Sequence, residues 1–245
     1  ELAVRRGRGD EDAGSNGVLF LFTGQGSQYE GMGRELYEAD QAFRSAMDRC
    51  EAVFKELTDG EESLLAEMRY PGLPSSSSSS SRLSETRFTQ PALFALEWSL
   101  AEMWRARGVR PTMVLGHSVG EVAAACVAGV MTMETGMRLA TERGRMMQAV
   151  PSRGGVMVAV RASRDAAEAA VAAVVADMAA AAAGENGAAT PPLSEMVSVA
   201  SVNGPSSVVL SGAADAVDAV LEKLGGGSNG AQQQQQQGRR LDVSH

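Results

Sequence analysis

The stretch Met113-Val114-Leu115-Gly116-His117-Ser118-Val119-Gly120-Glu121-Val122-Ala123-Ala124-Ala125 runs from an apolar strand signal, through a turn with Gly-x-Ser-x-Gly spacing, into a series of helix formers. A serine on such a strand-to-helix turn sits at the tip of a sharp bend, its hydroxyl exposed and the next backbone N–H aimed at any oxyanion formed there. Small residues on both sides serve a crowded elbow. The same residues admit a plainer reading, because Ser118 and Glu121 also spell S-x-x-E, a capping box that satisfies the first N–H groups of the following helix without any chemistry.

Upstream, Val18 to Phe22 is a second continuous apolar run of strand length, followed by the turn Thr23-Gly24-Gln25-Gly26-Ser27-Gln28 and a helical stretch from about Asp40 to Leu57. A serine run at 75–81 interrupts the next connection. Pro91 then reads as the first residue of a helix that carries Leu93, Leu96, Leu100, Met103 and Trp104 and stops at Gly108. Beyond the serine, helices end near Gly129 and run from about Met133 to Val150. The pattern is α/β around an apolar, parallel sheet. Residues 1–17, charged and Gly-rich, read as a linker, which leaves 18–153 as the larger unit.

From Gly154 the pattern changes. A strand at Val156 to Val160, an Ala-rich helix over about 164–183, strands at Met196 to Val202 and Val208 to Ser211, a helix from about Asp215 to Leu224 and a strand at Arg240 to Ser244 give βαββαβ, the order of a ferredoxin-like unit. The Gly-rich segment and Gln run within 225–238 read as an expanded surface loop in this 154–245 unit.

Composition excludes several classes. A net charge of −8, from 22 basic and 30 acidic residues, argues against a nucleic-acid partner, and no apolar stretch is long enough for a membrane span. Cys50 and Cys126 lie in helical patterns with no metal or redox spacing, so they read as free thiols in a reducing, cytoplasmic setting, and no metal site is expected. Glu1 is not a start residue, so the chain reads as an excised piece.

An exposed serine needs oxyanion donors and a base. In a parallel sheet the loop at Gly24-Gln25-Gly26 and the serine elbow leave at the same edge, so the N–H groups of Gln25 and Val119 could pair there. A tight turn or a phosphate-binding loop would use the same glycines. Arg143 lies at the edge of the apolar stripe Met133, Met137, Ala140, Met147. It is either half of an intramolecular ion pair or the captor of a substrate carboxylate. His117 adjoins the serine on the elbow, where its ring should diverge from the hydroxyl, and His245 is the last residue.

Taken together, Gly24-Gln25-Gly26-Ser27-Gln28, Thr89-Gln90-Pro91-Ala92-Leu93, Gly116-His117-Ser118-Val119-Gly120-Glu121 and Arg143 resemble the malonyl-CoA:acyl-carrier-protein transacylase family, and within it the acyltransferase domains of type I polyketide synthases. The resemblance implies an α/β-hydrolase-like large subdomain with a parallel sheet and an inserted ferredoxin-like small one. It implies that Ser118 takes an acyl group from malonyl-CoA and passes it to the phosphopantetheine thiol of an acyl carrier protein. Gln25 and Val119 would form the oxyanion hole, Arg143 would hold the malonyl carboxylate, and Gln90 and His117 would line the pocket. The domain itself would bind no cofactor, and its partners would be a carrier-protein domain and an adjacent ketosynthase.

The same resemblance bears on selectivity. Malonyl-selective members carry a small aliphatic residue after the serine, here Val119, where methylmalonyl members commonly have Gln. Val243-Ser244-His245 resembles the approach to a His-Ala-Phe-His motif, with His245 as its first histidine. On that alignment the catalytic histidine falls about three positions beyond His245, so the chain as it stands is expected to turn over little while its parent is active. Two other readings stay open: a serine hydrolase or thioesterase, which shares the elbow, and a non-catalytic scaffold derived from the same fold.

Overall fold

A computed structural model describes residues 17–70, 81–150, 154–182, 196–225 and 238–241. The chain divides into two compact units, Glu1–Ala149 and Val150–His245.

In the first unit, β1 (Leu19–Phe22) pairs in parallel with β2 (Met113–Gly116), in the register Leu19 to Met113 through Phe22 to Gly116. Helices α1 (Arg34–Ala39), α2 (Gln41–Leu57), α3 (Leu64–Glu67) and α4 (Thr86–Ala106) lie between the two strands in sequence, and α5 (Gly120–Val127) and α6 (Met133–Ala149) follow. Asp40 starts α2, its carboxylate accepting from Phe43 N at 2.8 Å. Phe43, Met47, Cys50 and Phe54 then recur at helical spacing and are buried in the core that α2, α4 and α6 share. Among the described residues the sheet is buried on one face only. Phe20, Phe22 and Val114 pack against the core, while Leu19, Leu21, Met113 and Leu115 on the other face stay exposed among the described residues. The two apolar runs therefore follow strand alternation, with only the core side covered.

Pro91 does not open its helix. The helix starts at Thr86, with Pro91 inside it. Phe88 N and Thr89 N donate to Glu85 O, and Thr89 Oγ1 donates to Leu83 O at 2.6 Å, closing the first turn ahead of the proline. Thr86, Phe88, Thr89 and Gln90 are fully buried there, and that burial outweighs the roughly 3 kcal/mol that an interior proline costs. The earlier start also puts Thr86 and Gln90 one turn apart on the same face of α4.

The second unit consists of β3 (Gly155–Val160), α7 (Arg164–Ala182), β4 (Val197–Gly204), β5 (Ser207–Ala213), α8 (Ala214–Gly225) and β6 (Gly238–Leu241). Its sheet is antiparallel with the order β4-β5-β3-β6, which is the ferredoxin-like arrangement. Val158, Val160, Val208 and Leu210 face Ala167, Val174, Val217 and Val220 of the helices in a separate apolar core. The last strand starts earlier than the sequence suggested, at Gly238 instead of Arg240, with Arg239 and Arg240 pairing with Ala159 and Val158. The glycine and glutamine runs within 226–237, most of the serine run and residues 242–245, which include His245, lie outside the described residues.

Candidate active site

Ser118 has φ +55, the left-handed region that non-glycine residues rarely enter, and it is exposed between the end of β2 and the start of α5. The two flanking glycines are sites of close approach. A Cβ on Gly116 would fall 2.3 Å from the backbone of Gly120, and one on Gly120 would fall 2.5 Å from Phe22 O and Thr23 O. The bend therefore brings β2, α5 and the end of β1 together at the serine. The capping box does not form: Val119 occupies the N-cap of α5 with no side-chain bond, and Glu121 N donates to the backbone oxygen of Ser118 at 3.0 Å. Ser118 Oγ instead accepts from Arg143 Nη2 at 3.3 Å.

The glycine loop after β1 meets this elbow. His117 N donates to Phe22 O at 3.0 Å, and a Cβ on Gly24 would lie 2.5 Å from His117 Nδ1, so the imidazole lies against the loop. Among the described residues, neither the N–H of Gln25 nor that of Val119 is taken by an intramolecular acceptor. Both remain available to an oxyanion. The Val119 side chain is fully buried in the core.

Arg143, on α6, has no carboxylate within ion-pair distance among the described residues. Its Nη1 donates to Gln90 Oε1. Gln90 Nε2 donates to Thr86 Oγ1 at 3.0 Å and reaches Met147 Sδ at 3.1 Å, and Thr86 Oγ1 donates to Gln25 Oε1 at 2.7 Å. A continuous chain of hydrogen bonds thus runs from the serine hydroxyl through Arg143, Gln90 and Thr86 to Gln25. A guanidinium that is half-buried, held by a neutral amide and without a carboxylate among the described residues is suited to capture an anion. The thiols are no rival nucleophiles, since burial pushes Cys50 up to about 12 and Cys126 up to about 11.

Sequence reasoning missed two side chains, Thr86 and Glu97. Glu97 Oε1 accepts from Thr23 N at 2.6 Å and from Thr23 Oγ1 at 2.9 Å, which ties the loop carrying Gln25 to α4. Its Oε2 is buried with no hydrogen-bond partner among the described residues. Burial raises this carboxyl to about 7 against the two Thr23 hydrogen bonds, which favour the charged form. Because the folded value lies above the ordinary 4.5, the folded protein binds the proton more tightly, and stability falls as pH rises from about 4.5 to about 7. Glu97→Gln keeps an acceptor for Thr23 and removes the titration. Thermal unfolding followed across that window should show a flatter pH profile for the variant, with a gain on the order of 2–3 kcal/mol above pH 7. Parallel profiles for the two proteins would contradict this account of Glu97.

The sequence profile of the acyl transferase domain family matches residues 19–237. The chain belongs to that family. It is 38% identical over 213 residues to the polyketide synthase GfsE of Streptomyces halstedii, covering 86% of this chain and 5% of that protein. Its fold superimposes on the acyltransferase domain from the second module of the salinomycin polyketide synthase with a TM-score of 0.72 at 39% identity, over 95% of this chain and 46% of that one. It also matches the malonyl CoA-acyl carrier protein transacylase of Coxiella burnetii, with a TM-score of 0.70 at 27% identity, over 93% of this chain and 62% of that one. The chain thus spans only a small part of the curated synthases it matches and about half to two thirds of these acyltransferase structures. No helix among the described residues is long and apolar enough to cross a membrane.

Proposed function

We propose that this chain carries the nucleophile, the oxyanion donors and the carboxylate-binding arginine of an acyltransferase that moves a malonyl group from malonyl-CoA to the phosphopantetheine thiol of an acyl carrier protein. The observation that carries this reading is the guanidinium of Arg143, without a carboxylate partner among the described residues, at 3.3 Å from Ser118 Oγ. A malonyl thioester has a free carboxylate close to the carbonyl under attack, so a cation beside the nucleophile can hold one end of the acyl group while the other reacts. An ordinary ester or thioester hydrolase has no use for a cation at that position.

In the first half-reaction, Ser118 Oγ bonds to the thioester carbonyl carbon while its proton passes to a base. The resemblance assigns that role to a histidine downstream of His245. The negative charge that develops on the carbonyl oxygen is met by the N–H groups of Gln25 and Val119. Collapse of this intermediate breaks the carbon–sulfur bond, and the coenzyme A thiolate leaves with the proton. The second half-reaction runs the same steps in reverse order, with the carrier thiol as nucleophile. Because Arg143 only donates, its bond to Ser118 leaves the serine proton free for the base and favours the alkoxide that forms as the proton departs. A carrier-protein domain and a neighbouring ketosynthase are the partners this reaction calls for, and the two buried, unpaired thiols fit a reducing cytoplasmic setting. A malonyl preference set by Val119 would act through the packing of the elbow, since its side chain is fully buried.

Arg143→Ala in the complete polypeptide tests the reading. Malonyl transfer, measured as kcat/KM with malonyl-CoA and a phosphopantetheinylated carrier, should fall about 10²–10³-fold through loss of a charge-assisted pair. Slow transfer of acetyl, which has no carboxylate, should be spared. An equal fall for both acyl groups would overturn the assignment of Arg143.

A further inference from the structure

We propose that Thr86 is a specificity-positioning residue: its hydroxyl fixes which end of the Gln90 amide faces Arg143, and through Gln90 it holds the guanidinium in place beside Ser118. This deepens the acyltransferase reading and rests on it. Thr86 and Gln90 are both fully buried, so neither can turn to water for a replacement partner.

The direction of the hydrogen-bond chain follows from what each group is able to do. Arginine has donors and no acceptor, so Gln90 must present its oxygen to Arg143 and its NH₂ to the other side. On that side Thr86 Oγ1 receives the NH₂ at 3.0 Å. Having accepted there, the threonine hydroxyl spends its own hydrogen on Gln25 Oε1 at 2.7 Å. Every link points the same way, which strengthens each bond in a site of low dielectric. Turning the Gln90 amide over would set NH₂ against guanidinium at one end and would cost Thr86 its donor at the other. The packing leaves little slack: a Cβ on Gly144, next to Arg143, would lie 2.7 Å from Thr86 O, so α6 sits directly against the start of α4. Thr86 therefore touches no substrate in this scheme, yet it sets the orientation of the group that does, and it ties that group to the side chain of Gln25 in the oxyanion loop.

Thr86→Val keeps the shape and removes the hydroxyl. Gln90 then loses its oxygen acceptor and keeps only Met147 Sδ, so its amide can turn and release Arg143. The test uses the complete polypeptide and an equimolar mixture of malonyl-CoA and acetyl-CoA, with the malonyl-to-acetyl ratio on the Ser118 peptide read by mass spectrometry. The ratio is internal to each sample, so partial loss of folded protein lowers both adducts together and leaves it unchanged. It should fall about tenfold in Thr86→Val and stay within about twofold of the parent in Thr86→Ser, which restores the hydroxyl. Arg143→Ala should collapse it, and Thr86→Val added to Arg143→Ala should change it no further. An unchanged ratio in Thr86→Val, or a full additional loss in the double variant, would overturn the positioning role. Absence of a Ser118 adduct in the unsubstituted protein would remove the acyltransferase reading and this inference with it, an outcome distinct from an adduct whose ratio ignores Thr86.

Discussion

Ser118→Ala should abolish the acyl-enzyme and lower carrier malonylation by about 10⁴-fold or more, because removing the nucleophile leaves only the oxyanion donors and substrate binding to act on the thioester. The fold should be indifferent to the change. Ser118 is exposed, its φ of +55 is as strained for alanine as for serine, and its hydroxyl makes a single bond among the described residues, to Arg143 Nη2. A melting temperature within about a degree of the parent would therefore accompany the loss of transfer. Rates in the complete polypeptide that survived the substitution would show that another group accepts the acyl chain. Neither Cys50 nor Cys126 could be that group, since both are buried with their thiols held protonated.

Gly120→Ala should cost a large share of the stability. The added methyl would lie 2.5 Å from two backbone oxygens, Phe22 O and Thr23 O, and backbone cannot swing aside as a side chain can. Relief requires separating α5 from the end of β1, which would open the contact between the glycine loop and the elbow. A cost of about 3 kcal/mol or more is expected, lowering the melting temperature by roughly 6–12 °C for a chain of this size. Gly129→Ala is the matched control. Gly129 has open space around it and φ +78, so its substitution should cost only the roughly 1 kcal/mol of left-handed strain. Calorimetry on the two variants separates close approach from backbone strain, and equal losses would contradict the crowded-elbow account.

Much of this arrangement was legible because it rests on local patterns. The apolar run at Met113 to Leu115, the small residues around Ser118 and the helix formers after it are contiguous, and the elbow they imply is present. The βαββαβ order of the second unit was likewise written in alternating strands and an Ala-rich helix. The start of α4 was hidden. Thr86 and Thr89 are β-branched and poor helix formers, and Pro91 is the strongest local signal, so only burial against α2 and α6 sets the boundary. That hidden boundary is also why Thr86 escaped notice, since its partnership with Gln90 exists only once both lie on the same helix.

Glu97 left a fainter signal: a carboxylate flanked by Leu93, Phe94, Leu96 and Trp98 in an apolar helix, with no cation placed to neutralise it. Its partner, the backbone of Thr23, lies 74 residues away and carries no mark in the sequence. Arg143 was conspicuous at the edge of its stripe. Its lack of a carboxylate partner among the described residues could be seen only in the fold, where Glu142 of the same helix pairs with Arg145 and Glu85, just ahead of α4, pairs with Arg87.

The most direct test of the central claim is to map the covalent adduct. The complete polypeptide, incubated briefly with malonyl-CoA and no carrier protein, is quenched in acid, digested and examined by mass spectrometry. A single malonyl group on the peptide that contains Ser118, absent from the Ser118→Ala variant and sharply reduced in Arg143→Ala, is the predicted result. A malonyl group on another residue, or a Ser118 adduct that forms equally well without Arg143, would contradict it.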